Sequence, residues 1–353
     1  MKQFGQRFNA YQAFLLGCKT FWIEDLYTQV KTEAASGLKG KPQPGETGVG
    51  DALQDSVAYK YYAWLERHLQ KMKYSGRYGI VPSHEPYRAE LEAWLDQALP
   101  EDLLTLDPDL VAPTHFTEID IHQHPGGTCG DTLAGIIYDR GARSMWPAAS
   151  KDLSIHERFD GAVKEFCDPQ RILDLGCGFG KSTRAFYQDF PSAAVTGIDL
   201  SAPCLKFAAV TAVEDQARNV DYRQAGAENT GIDAESFDLV TSTMLLHEMP
   251  PKAIRETIAE SFRLLKKGGY AIHLDYLADE DPFNRFIHYG HGRRNNEPYM
   301  EPLNKMDLGG AIAEAGFEKV EIAPFEEAPN ALSPDRSRWR LPWVIMAMQK
   351  PRS

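Results

Sequence analysis

Arg171-Ile172-Leu173-Asp174-Leu175-Gly176-Cys177-Gly178-Phe179-Gly180-Lys181-Ser182-Thr183 decides how this chain is read. The apolar Ile-Leu-x-Leu run has the composition of a short buried strand, and the three glycines then turn the chain. Residues 181–186 read as the first turns of a helix. Strand, glycine turn and helix start together lay bare backbone N–H groups beside a ligand, with no Cβ in the way. The spacing is G-x-G-x-G, whereas dinucleotide-binding turns use G-x-G-x-x-G. A glycine-rich turn without any ligand is the alternative reading of this run alone.

The next apolar run, Ala194-Val195-Thr196-Gly197-Ile198-Asp199-Leu200, narrows the choice. It ends on Asp199, about twenty residues beyond the glycines, where a carboxylate can accept from both hydroxyls of a ribose. Asp174, just before the glycines, adds a second anion. That pair repels a pyrophosphate and attracts an ammonium or a sulfonium.

On these residues the chain resembles the class I S-adenosylmethionine (SAM) methyltransferases, whose first motif is similar to L-D-L-G-C-G-x-G. The resemblance runs from about residue 155 to 349. Ala225-Gly226-Ala227-Glu228-Asn229 is similar to the family's G-D-A-E-N segment beside the adenine, with Gly226 in place of the usual Asp. Residues 236–250 resemble the fourth strand and its exit, and 264–269 (LLKKGG) resemble the L-K-P-G-G turn, with Lys267 replacing proline. The resemblance implies an α/β fold, a doubly wound and mostly parallel seven-stranded sheet, preceded by a mainly helical extension. It implies SAM as the methyl donor and S-adenosylhomocysteine as its product. The cofactor-binding residues are then Asp174, Gly176, Cys177, Gly178, Gly180, Asp199, Leu200, Ala227, Glu228 and Met244.

The rest of the chain bounds the answer. Its 353 residues allow two domains, here 1–150 and 151–353, and 43% hydrophobic residues support a sizeable core. A formal charge of −12 disfavours nucleic acid as a partner, since such binding rests on Lys and Arg against phosphate. No apolar run approaches the roughly 18 residues of a membrane span, and residues 1–7 lack a signal-peptide core. The expectation is a cytoplasmic protein acting on a small molecule. Five scattered cysteines contain no C-x-x-C pair, so neither a disulfide framework nor a zinc site is expected.

Residues 1–35 read as helical, 36–50 as a Gly/Pro-rich loop, 51–72 and 87–99 as further helices. The second of these carries Val57, Tyr61, Trp64, Leu65, His68 and Leu69 on one face. This aromatic-rich start is a candidate cap or homodimer face. From Lys151 the pattern alternates: helix 153–166, strand 172–175, helix 181–189, strand 194–199, helix 202–215, strands 219–223 and 237–243, helix 251–266, strand 269–275. Helix 306–315 and strands 317–323 and 340–349 close it.

Methyl transfer from a sulfonium needs alignment, exclusion of water and, for a protonated acceptor, a base. His247, just past the fourth strand, is the candidate base and Glu248 its partner. In Ile121-His122-Gln123-His124-Pro125, an extended chain would point His122 and His124 to one side. They are read as substrate contacts, structural side chains or two ligands of one metal. Tyr138, on the helical stretch 132–138, and Tyr276, His288 and Tyr289, in a segment placed over the site's mouth, complete the candidate substrate contacts. Two rival functions stand beside methyl transfer. One is a SAM-binding regulatory module, or a cyclase or decarboxylase using the sulfonium; the other is a metal-dependent enzyme using His122 and His124.

Overall fold

The computed structural model describes residues 5–40, 45–144, 154–332 and 338–353. Its centre is a sheet of eight strands: β1 (Leu104–Thr105), β2 (Arg171–Leu175), β3 (Ala194–Asp199), β4 (Val220–Gln224), β5 (Phe237–Thr243), β6 (Leu265–Tyr276), β7 (Glu318–Pro324) and β8 (Trp343–Gln349). Their order is β1-β4-β3-β2-β5-β6-β8-β7, and only β8 runs antiparallel to its neighbours. The expected seven strands are present in doubly wound order. The correction is β1, a two-residue edge strand parallel to β4, too short to leave any periodic signal.

The parallel strands are apolar on both sides because helices cover both faces. Consecutive residues of β2 feed opposite cores: Ile172 packs with Val195, Leu239 and Ile272, whereas Leu173 packs with Ile198, Val240 and Ala271. After β2 the chain builds β3 and β4 on one side, then returns to build β5 and β6 on the other. A crevice therefore opens beyond the carboxyl ends of β2 and β5, where ligands of open parallel sheets bind.

Helices Gln6–Phe21, Tyr27–Leu38, Glu46–Leu53 and Val57–Ser75 pack into a separate aromatic core. Two expectations change here. Residues 46–50 are the first turns of a helix, not loop. The buried face of helix Val57–Ser75 holds Tyr62, Leu65 and Leu69, while Val57, Tyr61 and Trp64 lie outside. Tyr61 and Tyr62 are adjacent and therefore about 100° apart around the helix, and it is Tyr62 that turns inward.

The N-terminal core is completed from the other half of the chain. Phe283 and Ile287 of helix Pro282–Asn295 sit within it. That helix occupies the segment expected over the site's mouth. Asp281 caps it by accepting from the Asn284 N–H at 2.8 Å, Pro282 opens it, and left-handed Asn296 ends it. Among the described residues no helix is long and apolar enough to cross a membrane.

Because Phe283 and Ile287 join the two regions, heating the full chain should give one calorimetric unfolding transition. Two separated transitions would contradict this shared core.

Candidate functional site

The glycine turn follows β2 directly. Gly176, Gly178 and Gly180 all have positive φ, a region that costs other residues free energy. At Gly180 a Cβ would also strike Ala208 at 2.6 Å, which fixes the turn against helix Ala202–Glu214. At Gly178 a Cβ would meet nothing within 4 Å. This glycine leaves open space on the side facing the crevice. The Cys177 N–H donates to the Ile198 carbonyl at 2.9 Å, and its thiol is buried, which raises its pKa well above the ordinary value.

Two carboxylates flank the turn. Asp174 is fully buried; its Oδ2 accepts from the hydroxyls of Ser182 (2.7 Å) and Thr183 (2.6 Å), while Oδ1 has no partner. Burial pushes this acid up to about 6, against the pull of the two hydroxyls. Asp199, at the tip of β3, accepts from the backbone N–H groups of Gly178 (2.8 Å) and Ser201 (2.7 Å). Burial also raises it to about 6. Leu200 lies against Gly226, and Glu228 reaches toward His115 at 3.5 Å. Ala227 is buried in the core beneath them. Met244, at positive φ, turns the chain out of β5, and its N–H donates to the Leu274 carbonyl at 2.8 Å.

The 3₁₀ turn Leu246–Glu248 follows. His247 is buried, and its Nδ1 lies 2.6 Å from Asp275 Oδ1. Asp275, near the end of β6, is also buried and accepts from the Leu246 N–H (2.7 Å) and the Tyr276 N–H (2.8 Å). Glu248, expected to orient the histidine, instead lies 4.0 Å from Nε2 and 3.7 Å from His122 Nε2. The correction follows from topology: β5 and β6 are neighbours, so their carboxyl ends meet, whereas Glu248 turns outward. Burial lowers the pKa of His247, but Asp275, Glu248 and Glu297 outweigh it and leave the pKa raised. The Tyr276 ring packs against the imidazole at 4.7 Å.

Glu297 stands on the far side of that ring. Its Oε2 is 3.8 Å from His247 Nε2; its Oε1 is 3.0 Å from His122 Nδ1 and 3.7 Å from His291 Nε2. His291 Nδ1 is held by Glu66 Oε1 at 2.5 Å. Burial raises the Glu297 acid, yet the three histidines more than reverse this and bring it to about 2. Burial likewise opposes protonation of His122, and Glu297 with Glu248 brings it up to about 9.

His122 and His124 do not share a face. His122 sits at φ 53°, inside a 3₁₀ turn rather than an extended strand. The ring of His124 stacks on Tyr74 at 4.8 Å, buried and without a partner on either nitrogen, and burial lowers its pKa to about 4. No group of three His, Cys, Asp or Glu side chains suited to a metal ion occurs among the described residues. Tyr138 stands between Phe179 of the glycine turn (5.1 Å) and His122 (5.9 Å), so it links the two halves of the site. His288 is buried with both nitrogens unpartnered, and burial lowers its pKa to about 3. It lines a narrow cleft with Tyr27, Asp279, Asn284, Trp339 and Arg340. Tyr289 turns away: its hydroxyl accepts from Asn304 at 3.1 Å. Asp275, Glu297 and Glu66 had no assigned role in the sequence reading. Only Asp275 left a signal, as an acid at the end of the strand beside β5.

A model described as a methyltransferase domain matches residues 172–269. An uncharacterized methyltransferase of Synechocystis sp. is 31% identical over 156 residues, 43% of this chain and 68% of that protein. A ubiquinone biosynthesis O-methyltransferase of Paracidovorax citrulli is 35% identical over 178 residues, 48% of this chain and 73% of that protein. The uncharacterized methyltransferase YcgJ of Bacillus subtilis is 29% identical over 120 residues, 34% of this chain and 46% of that protein. Its solved structure gives a TM-score of 0.45 at 18% identity, covering 56% of this chain and 99% of that one. The chain thus spans about half of some of these relatives and about two thirds or more of others.

The buried Asp174 generates a stability prediction. Its folded pKa of about 6 exceeds the unfolded value near 3.9, so the native state binds more protons and stability falls as pH rises between them. Asp174→Asn removes this cost, on the order of 2–3 kcal/mol above pH 6. The melting temperature of the variant, relative to wild type, should climb from pH 4 to pH 6 and then level off. A difference independent of pH would contradict the assignment.

Proposed function

This chain belongs to the class I SAM-dependent methyltransferases, and we propose that it methylates a small molecule at a hydroxyl or amine, with His247 as general base. The observation that carries this reading is the 2.6 Å contact of His247 Nδ1 with Asp275, at the carboxyl ends of β5 and β6. An ionised Asp275 only accepts, so Nδ1 carries the hydrogen and Nε2 keeps its lone pair. Nε2 then takes the proton of the acceptor group, and Asp275 steadies the imidazolium that results.

The residues present fit the cofactor. The unpartnered Asp174 Oδ1 suits an ammonium, the open side of Gly178 admits a ligand against the backbone, and Asp199 suits ribose hydroxyls. Leu200, Ala227 and Glu228 would border the adenine, and Met244 the sulfonium. When bound, SAM supplies the methyl group as an electrophile, its sulfur keeping the electron pair of the broken bond. Tyr138 and His122 face the acceptor in this reading.

The homodimer expected of the N-terminal helices has a candidate face in Phe14, Phe21, Tyr61 and Trp64, all exposed. Sedimentation should then find a dimer that Trp64→Glu dissociates; a wild-type monomer would contradict it.

His247→Gln should lower turnover about 10²–10⁴-fold, with little change in SAM affinity measured by calorimetry. Asp199→Ala should do the reverse, weakening SAM by about 1–3 kcal/mol. Wild-type turnover should rise with pH through a value above about 6.5, since the His247 pKa is raised. A His247→Gln enzyme with near-normal turnover would end the base assignment and leave the family membership intact.

A further inference from the structure

The mechanism above uses one carboxylate, Asp275, on one nitrogen of His247. The other nitrogen, the one that works, faces a second carboxylate that has no part in it. Glu297 Oε2 lies 3.8 Å from Nε2, and Glu297 is 3% exposed. We propose that Glu297 is a positioning residue for the base, its carboxylate facing the imidazolium of His247 and stabilising it once the acceptor has given up its proton. The proposal rests on His247 being the base and adds a second carboxylate, beside Asp275, that strengthens it.

The geometry argues for this role in three ways. A separation of 3.8 Å is too long for a direct hydrogen bond, yet one acceptor atom can lie within bonding distance of both Nε2 and Oε2. As the acceptor X–H bond breaks, its electron pair stays on X and the proton becomes the Nε2–H. The positive charge that the ring gains then faces a carboxylate already in place 3.8 Å away.

Glu297 is also kept ionised by its surroundings. His122 Nδ1 donates to Oε1 at 3.0 Å, and His291 Nε2 stands 3.7 Å away, oriented by Glu66 on its Nδ1. A carboxylate so buried persists in its charged form only with such partners. Finally, three elements far apart in sequence converge on it. They are the 3₁₀ turn of His122, the helix carrying His291, and helix Val57–Ser75, whose Glu66 holds that histidine. Packing alone does not require an acid there.

The groups that face His247 are few. Asp275 and Tyr276 come from β6, Glu248 from its own turn, and Glu297 from beyond helix Pro282–Asn295. His288 and His291 on that helix, and His122 and Lys73 behind Glu297, complete the field. Removing the negative charge of Glu297 should therefore weaken the base, and removing the positive charge of His122 should strengthen it.

The test reads the imidazoles of the full chain by ¹⁵N-edited NMR titration, with no acceptor needed. Glu297→Gln should lower the His247 pKa by about one unit or more. His122→Gln should raise it, and both variants should keep hydrogen on Nδ1, where Asp275 holds it. Glu297→Asp should recover part of the wild-type value and serves if the glutamine variant does not fold. An unchanged His247 pKa in the Glu297 variants, or shifts of the same sign in the Glu297 and His122 variants, would overturn the proposal. So would stoichiometric metal in the purified protein that perturbs His122, His247 and His291 together, since the cluster would then be a metal centre. His247→Gln turnover is a separate measurement, so failure of the base reading and failure of this one are distinguishable.

Discussion

Asp275 is the tie on which the site depends. One buried carboxylate accepts from the Leu246 N–H, from His247 Nδ1 and from the Tyr276 N–H. A buried ion is tolerable only when its lone pairs are filled, and each of these three donors has a reason to be near. Two lie on the turn that leaves β5, and the third is on β6 itself. The carboxylate therefore ties together the ends of two neighbouring parallel strands, and it sets which nitrogen of His247 is available. Without it the 3₁₀ turn would lose its anchor, and the ring would lose its orientation.

Around that tie the charges alternate. Asp275, His247, Glu297, His122 and Glu248 follow one another, with His291, Glu66 and Arg294 as a second branch from Glu297. Each acid adjoins a group that is or can become a cation, so the cluster can be buried without large net charge. The arrangement depends on helix Pro282–Asn295, which brings His288 and His291 over the sheet while its Phe283 and Ile287 face the N-terminal core. The N-terminal helices thus brace this cluster from behind: Glu66 on helix Val57–Ser75 reaches through to His291 and Arg294.

Most of the sheet was legible in the sequence because its signals are local. Apolar runs bounded by glycines, and an acid at the end of β3, need no knowledge of distant residues. His247 was legible for the same reason, as a histidine one turn beyond a strand end. Its partner was not, because Asp275 lies 28 residues away and the nearest acid, Glu248, faces elsewhere. Glu297 carries no local signal, since its meaning comes from His122, 175 residues distant. The expected His122/His124 pair failed on two backbone angles: with φ 53° at His122 and 56° at Gln123 the period-two alternation of a strand no longer applies. The face of helix Val57–Ser75 was misread because aromatic residues ring it, and burial went to Tyr62 rather than Tyr61.

The central claim is that the His247–Asp275 pair stands at the mouth through which a methyl group is delivered. A crystal structure with S-adenosylhomocysteine tests it most directly. The account predicts the ribose on Asp199, the amino group toward Asp174, and the sulfur facing His247 Nε2 and Glu297 with room between them for one acceptor atom. S-adenosylhomocysteine bound with its sulfur turned away from His247, or bound outside the crevice between β2 and β5, would contradict it.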